Sequence, residues 1–131
     1  VPVPAQRIGV NAATAGLLPP RSVRITRESL DGVPGRAFGP RSVEDDRVLL
    51  YLHGGGYVAG SSFSHRGLVA RLAEGLAAKA FAPDYRLAPE FRYPCGVDDV
   101  LACYQALRRR GYAAEQIVLA GDSAGGGLAL A

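Results

Sequence analysis

At 131 residues, 48% hydrophobic and 21% charged, the chain has the composition of a folded globular protein and lies outside the range of disordered chains. Its net charge of +3 comes from 15 basic residues that are scattered apart from Arg108-Arg109-Arg110, so no basic footprint for nucleic acid is built. A membrane-spanning helix is excluded, because no run of about 18 apolar residues occurs.

Residues 1–20 are rich in alanine, glycine and proline and read as a connector or the tail of a helical segment, without the basic start and continuous apolar centre of a secretory leader. From Ser22, Val23-x-Ile25 alternates with arginine as a half-buried strand does. Asp31-Gly32-Val33-Pro34-Gly35 then supplies a turn into a short strand near Arg36-Ala37-Phe38, giving a hairpin at a sheet edge. Asp45-Asp46 lead into Val48-Leu49-Leu50-Tyr51-Leu52, a continuous apolar run typical of a parallel strand buried on both faces. Next, Leu68, Val69, Leu72, Ala73 and Leu76 recur at helical spacing, with Ser64 available as N-cap. Lys79-Ala80-Phe81-Ala82-Pro83 is a poor strand by propensity and is assigned as one from its place between two helices. Val97, Val100, Leu101, Tyr104 and Leu107 mark a second amphipathic helix, ended by Gly111. A strand over Gln116 to Ala120 follows. Strand, helix, strand, helix, strand predicts an α/β protein with a parallel sheet. Cys95 and Cys103, eight residues apart on the second helix, are separated by about 12 Å along its axis, beyond disulfide reach. They are expected to be free thiols in a cytoplasmic setting, and neither has metal-ligand spacing.

Three motifs carry chemistry. In Gly121-Asp122-Ser123-Ala124-Gly125 a serine lies between two glycines directly after an apolar strand, the arrangement that lifts a nucleophilic hydroxyl clear of a sheet. By itself the motif leaves open a phosphate-binding turn at a helix start. A P-loop is disfavoured, since the only lysine is Lys79. The second motif, His53-Gly54-Gly55-Gly56, ends the buried strand; consecutive glycines leave backbone N–H groups unobstructed for an oxyanion, or else form a plain flexible turn. If Ser123 is a nucleophile, the N–H of Ala124 is the donor that follows it. The third, Asp84-Tyr85-Arg86-Leu87-Ala88-Pro89-Glu90, reads as a polar loop whose charges form a structural network.

Taken in order, HGGG, DYRLAPE and GDSAGG closely resemble the hormone-sensitive-lipase-like, or GDXG, esterases of the α/β-hydrolase fold, over roughly residues 21–131. The resemblance implies an eight-stranded, mostly parallel sheet, with its first five strands in residues 21–131 and part of a helical cap in residues 1–20. It implies hydrolysis of short- to medium-chain carboxylic esters through an acyl-enzyme, a small-molecule substrate, and no metal or organic cofactor. Carried over, Ser123 is the nucleophile, and Gly54, Gly55, Gly56 and Ala124 form the oxyanion hole, with Gly55 and Gly56 foremost in the glycine loop. His53 is expected to orient that loop and His65 to be a surface or capping residue. The family's triad acid and histidine have no counterparts in these 131 residues, so the isolated chain is expected to turn over esters poorly or not at all. Its last strand, which should be central in the complete sheet, is expected to leave it prone to self-association, with the oligomeric state undetermined. A non-catalytic ligand-binding protein on the same scaffold, like the plant gibberellin receptors, is the alternative, and a remnant without activity is a third.

Overall fold

The structure is a computed structural model that describes residues 2–14, 16–44 and 46–131; Val1, Ala15 and Asp45 lie outside the described residues, so the part they were given in the N-terminal connector and ahead of the strand at 48 is not addressed. Strands Val23–Leu30 (β1) and Val33–Pro40 (β2) form the expected hairpin. Its turn is tighter than composition predicts. Asp31 and Gly32 alone make it, at φ of 51° and 79°, the positive values that a two-residue turn between right-twisted strands requires. Pairing Leu30 with Val33 buries both, and that apolar gain draws Pro34 and Gly35 into the strand despite their turn propensity.

The other strands are Val48–Leu52 (β3), Lys79–Pro83 (β4) and Ile117–Gly121 (β5). Their order across the sheet is β1-β2-β4-β3-β5. The hairpin joins β4 antiparallel, whereas β3 pairs in parallel with both β4 and β5. Gln116, expected to begin the last strand, ends a 3-10 turn over Ala114–Gln116 instead.

Helices Arg66–Leu76 (α2), Cys95–Arg109 (α3) and Ala124–Leu130 (α4) cover the sheet. One core combines Val48, Leu50, Leu52 and Phe81 with Val100, Cys103 and Leu107 of α3 and Leu128 of α4. The other combines Leu49, Tyr51, Ala80 and Ala82 with Val69, Ala70 and Ala73 of α2. Successive side chains of β3 therefore enter opposite cores, which is why the whole strand is apolar. The second core also explains the alanines of β4: small residues on both elements let α2 lie close against the strand. Helix α2 is not capped by Ser64. Its N-cap position is His65, while Ser64 Oγ accepts the Ser61 N–H at 2.9 Å and closes a turn of its own.

An N-terminal helix, Val3–Thr14 (α1), has no buried residue and is held by Arg7, whose Nε donates to the Val58 carbonyl at 2.7 Å and whose guanidinium pairs with Glu90 at 2.8 Å. Arg109 and Arg110 pair with Asp31 and Glu28 of the hairpin at 3.4 and 2.8 Å, so two members of the arginine cluster have internal partners. Cys95 and Cys103 both lie on α3 as free thiols. No described helix is long and apolar enough to cross a membrane.

Candidate active site

Parallel pairing sets Leu52 of β3 beside Gly121 of β5. The residues that follow, His53-Gly54 and Asp122-Ser123, leave the sheet side by side at the carboxyl ends of the strands, where open α/β sheets place their ligands. Ser123 turns the chain from β5 into α4 at φ 50° and ψ −118°, a conformation that costs a residue with a side chain on the order of 1–3 kcal/mol. Its side chain is exposed.

The flanking glycines are required by close approach. A Cβ on Gly121 would lie 2.5 Å from the Gly125 carbonyl carbon and 2.7 Å from the Leu52 oxygen. A Cβ on Gly125 would fall on that same Leu52 oxygen. Only hydrogen at both positions lets the elbow rest on the end of β3.

Across from the elbow, the glycine loop takes up positive φ at Gly55 (135°) and Gly56 (64°), and the Gly55 carbonyl accepts from Val58 and Ala59 at 3.2 and 3.0 Å. The N–H groups of Gly55 and Gly56 have no acceptor among the described residues. Ala124, first residue of α4, has an N–H that no intrahelical bond can use. Gly54 departs from the expected donor set, because its N–H is already given to Asp122 Oδ1 at 2.9 Å.

Asp122 is the hub of a network that the sequence reading did not identify. Its Oδ1 also accepts the Tyr51 hydroxyl at 2.8 Å, and its Oδ2 faces His65 Nε2 at 3.3 Å. Burial works to raise the carboxyl pKa of Asp122, but the bonds from Tyr51, His65 and Gly54 outweigh it and hold the value below the usual carboxylate range. For Tyr51, burial and then the Asp122 bond push the phenol well above its ordinary value. His65 is not a surface residue; it is 8% exposed, inside the wall of the site.

His53 does anchor the loop. Its ring stacks on Tyr85 with centroids 4.4 Å apart, and the Tyr85 hydroxyl donates to the His53 carbonyl at 2.6 Å. Nδ1 is 2.8 Å from the Gly54 oxygen, while Nε2 is buried without a partner among the described residues. Burial lowers the pKa of His53 and favours the neutral ring. Neither imidazole has a nitrogen free for Ser123: His53 has Nδ1 at the Gly54 oxygen and Nε2 buried, and His65 has Nε2 on Asp122 and Nδ1 on Ser64 Oγ.

The Asp84–Glu90 loop is structural throughout. Asp84 accepts the Ser62 N–H at 2.6 Å, Arg86 binds Asp99 of α3 through Nε and a terminal nitrogen at 3.0 and 2.9 Å, and Glu90 holds Arg7. Among the described residues no three metal-ligating side chains converge. Assembled, the site offers an exposed serine on a strained turn, beside a glycine loop with unbonded backbone donors.

A sequence family described as the α/β-hydrolase fold matches residues 49–131. The chain is 40% identical over 129 residues to LipR of Mycobacterium tuberculosis, covering 98% of this chain and 42% of that protein. It is 48% identical over 97 residues to the carboxylesterase/phospholipase LipF of the same organism, covering 73% of this chain and 26% of the relative. The crystal structure of an esterase from the bacterial hormone-sensitive lipase family superposes with a TM-score of 0.92 at 36% identity, over 98% of this chain and 43% of the other. The chain thus spans less than half the length of each.

Proposed function

Since the chain belongs to the α/β-hydrolase fold family, in its hormone-sensitive-lipase-like group, we propose that it carries the nucleophile and oxyanion hole of a serine carboxylesterase acting on short- to medium-chain esters. The observation that carries the reading is the juxtaposition of Ser123, at φ 50° on its elbow, with the unbonded N–H groups of the glycine loop.

In this reading Ser123 Oγ attacks the ester carbonyl carbon, and the carbonyl π pair moves onto oxygen. The resulting oxyanion is held by the N–H groups of Ala124, Gly55 and Gly56, each donor contributing about 3–4 kcal/mol in comparable sites. The hydroxyl proton passes to a histidine outside residues 1–131 and then to the departing alcohol. Water attacks the acyl-serine in the second half-reaction and releases the acid. The 131 residues alone lack an activating base, so their turnover falls by orders of magnitude; disabling a triad can cost on the order of 10⁶ in kcat. Helix α1, pinned by Arg7 beside the glycine loop, forms part of a cap over the acyl site. The free thiols fit a cytoplasmic setting.

The test is hydrolysis of p-nitrophenyl butyrate by the full-length protein, with Ser123→Ala and the 1–131 polypeptide beside it. Turnover by the full-length protein alone is expected. Undiminished turnover in Ser123→Ala, or rapid turnover by residues 1–131, would overturn the assignment.

A further inference from the structure

The donors of the glycine loop cannot hold themselves in place, because glycines have no side chains with which to anchor. What fixes the loop on its elbow side is one carboxylate. Asp122 sits immediately before the nucleophile, and its backbone carbonyl accepts Gly125 N–H at 2.8 Å to start α4, while its Oδ1 takes the Gly54 N–H at 2.9 Å. The orientation of this carboxylate therefore sets the peptide that leads into Gly55 and Gly56.

Two side chains in turn hold the carboxylate. Tyr51 reaches Oδ1 from β3, and His65 reaches Oδ2 from the start of α2. They bond different oxygens of the carboxylate, so that removing one leaves its plane less constrained. Tyr51 is embedded in the core below and cannot be removed without leaving a cavity. His65 is different. It is buried with its Nδ1 2.9 Å from Ser64 Oγ, and its ring lies 5.7 Å from that of His53. Its Nε2 is directed at the outer carboxylate oxygen, where an imidazole N–H adds a charge-assisted bond. Nothing in the reaction outlined above uses it.

We propose that His65 is a positioning residue of the oxyanion hole, acting through Asp122 on the Gly54 peptide and so on the donors at Gly55 and Gly56. It touches no reacting atom. This inference rests on the esterase reading, and it predicts a specific kinetic signature: a donor displaced from the oxyanion matters in the transition state and little in substrate binding. Losing one oxyanion donor outright costs about 10²–10³ in kcat, and loosening two of them through a relay should cost about 10- to 100-fold.

The experiment compares His65→Leu and His65→Gln in the full-length protein. The amide nitrogen of glutamine reaches the position of Nε2 and keeps an N–H for Asp122, whereas leucine fills the space without one. With p-nitrophenyl butyrate, His65→Leu is expected to lower kcat about 10- to 100-fold with KM within about twofold, and His65→Gln to recover most of the loss. Amide hydrogen exchange over residues 53–60 gives a readout that needs no turnover: exchange should quicken in His65→Leu and return toward wild type in His65→Gln. Equal exchange in all three proteins would overturn the proposal even if esterase activity is intact. So would loss of kcat, KM and thermal stability together with no rescue by glutamine, which would mark a merely structural residue. If wild type proves inactive and a fluorophosphonate leaves Ser123 unlabelled, the esterase reading fails, and the exchange data still decide whether His65 holds the loop.

Discussion

Neighbouring glycines on α4 offer a test in which two physical effects predict opposite signs. In a helix, replacing glycine by alanine normally stabilises by up to about 1 kcal/mol, because glycine loses more backbone entropy on folding. At Gly126 nothing opposes this: an added Cβ would have its nearest neighbour, the Gly121 oxygen, at 3.4 Å, an ordinary contact. One residue earlier the same methyl would fall on the Leu52 oxygen, with the Leu52 carbon at 2.6 Å and the His53 oxygen at 2.8 Å. Those atoms belong to the backbone of β3 and cannot swing aside, so the elbow and the end of β3 must part by on the order of 1 Å, with a typical overpacking cost of about 1–3 kcal/mol. The separation occurs between Ser123, the proposed nucleophile, and the loop that begins at His53, and a misplacement of about 1 Å can cost about 10²-fold in rate. Urea unfolding and p-nitrophenyl butyrate kinetics on the full-length protein measure both consequences. Gly125→Ala should be less stable than wild type and at least tenfold slower, and Gly126→Ala should be as stable or more so and nearly as fast. Equal damage in the two variants, or a fully active Gly125→Ala, would refute the account of the elbow as a contact between backbones.

The acid dependence of stability should carry the signature of Asp122. Its folded-state pKa lies below the ordinary 3.8, so its contribution is complete above that value and disappears as pH falls through the lower folded value. The stability difference between wild type and Asp122→Asn, followed by urea unfolding, should therefore be level at neutral pH and shrink only below about pH 4; a difference that grows with acid would contradict it. The two thiols should separate in reactivity: burial pushes Cys103 up to about 12, so a disulfide reagent at pH 8 should modify Cys95 in the native protein and reach Cys103 only on unfolding. Finally, among the described residues β5 pairs with β3 alone and leaves Leu119 38% exposed, so the isolated 1–131 polypeptide should self-associate in size-exclusion chromatography. A concentration-independent monomer would count against that.

Much of the fold is legible because burial writes directly into the sequence. Strand β3 is apolar at five successive positions because it feeds two cores, and the helices α2 and α3 keep one apolar face each. Strand β4 was readable only by its position, since Ala80 and Ala82 were selected for the closeness of α2 rather than for strand propensity. The hairpin turn differs for a similar reason: local preference extends it from Asp31 through Pro34-Gly35, but Leu30 and Val33 bury each other only if the turn is two residues long. At the site, Ser123, Gly55, Gly56 and Ala124 are candidates that the sequence can offer because the chemistry proposed for them depends on backbone shape, which short motifs encode. In the sequence Gly54 is equivalent to its neighbours, and only the position of Asp122 shows that its N–H is already engaged. His65 lies 57 residues from Asp122, and the two are brought together by parallel pairing and by the seating of α2, which no local pattern reports.

These missed contacts follow from what an oxyanion loop requires. Free N–H groups demand glycines, and glycines deprive the loop of anchors, so its geometry must be imposed from outside. Here two anchors do so from different elements: the Asp122 carboxylate accepts the Gly54 N–H, and the Tyr85 hydroxyl donates to the His53 carbonyl 2.6 Å away. One anchor belongs to the turn that carries Ser123, the other to the loop after β4. The three motifs recognisable in the sequence are therefore one mechanical unit, in which GDSAG and DYRLAPE grip the same His53–Gly54 peptide at the start of HGGG, one by its N–H and the other by its carbonyl. If Ser123 acts as proposed above, a variant that weakens either contact should slow acylation while leaving Ser123 exposed and its elbow intact.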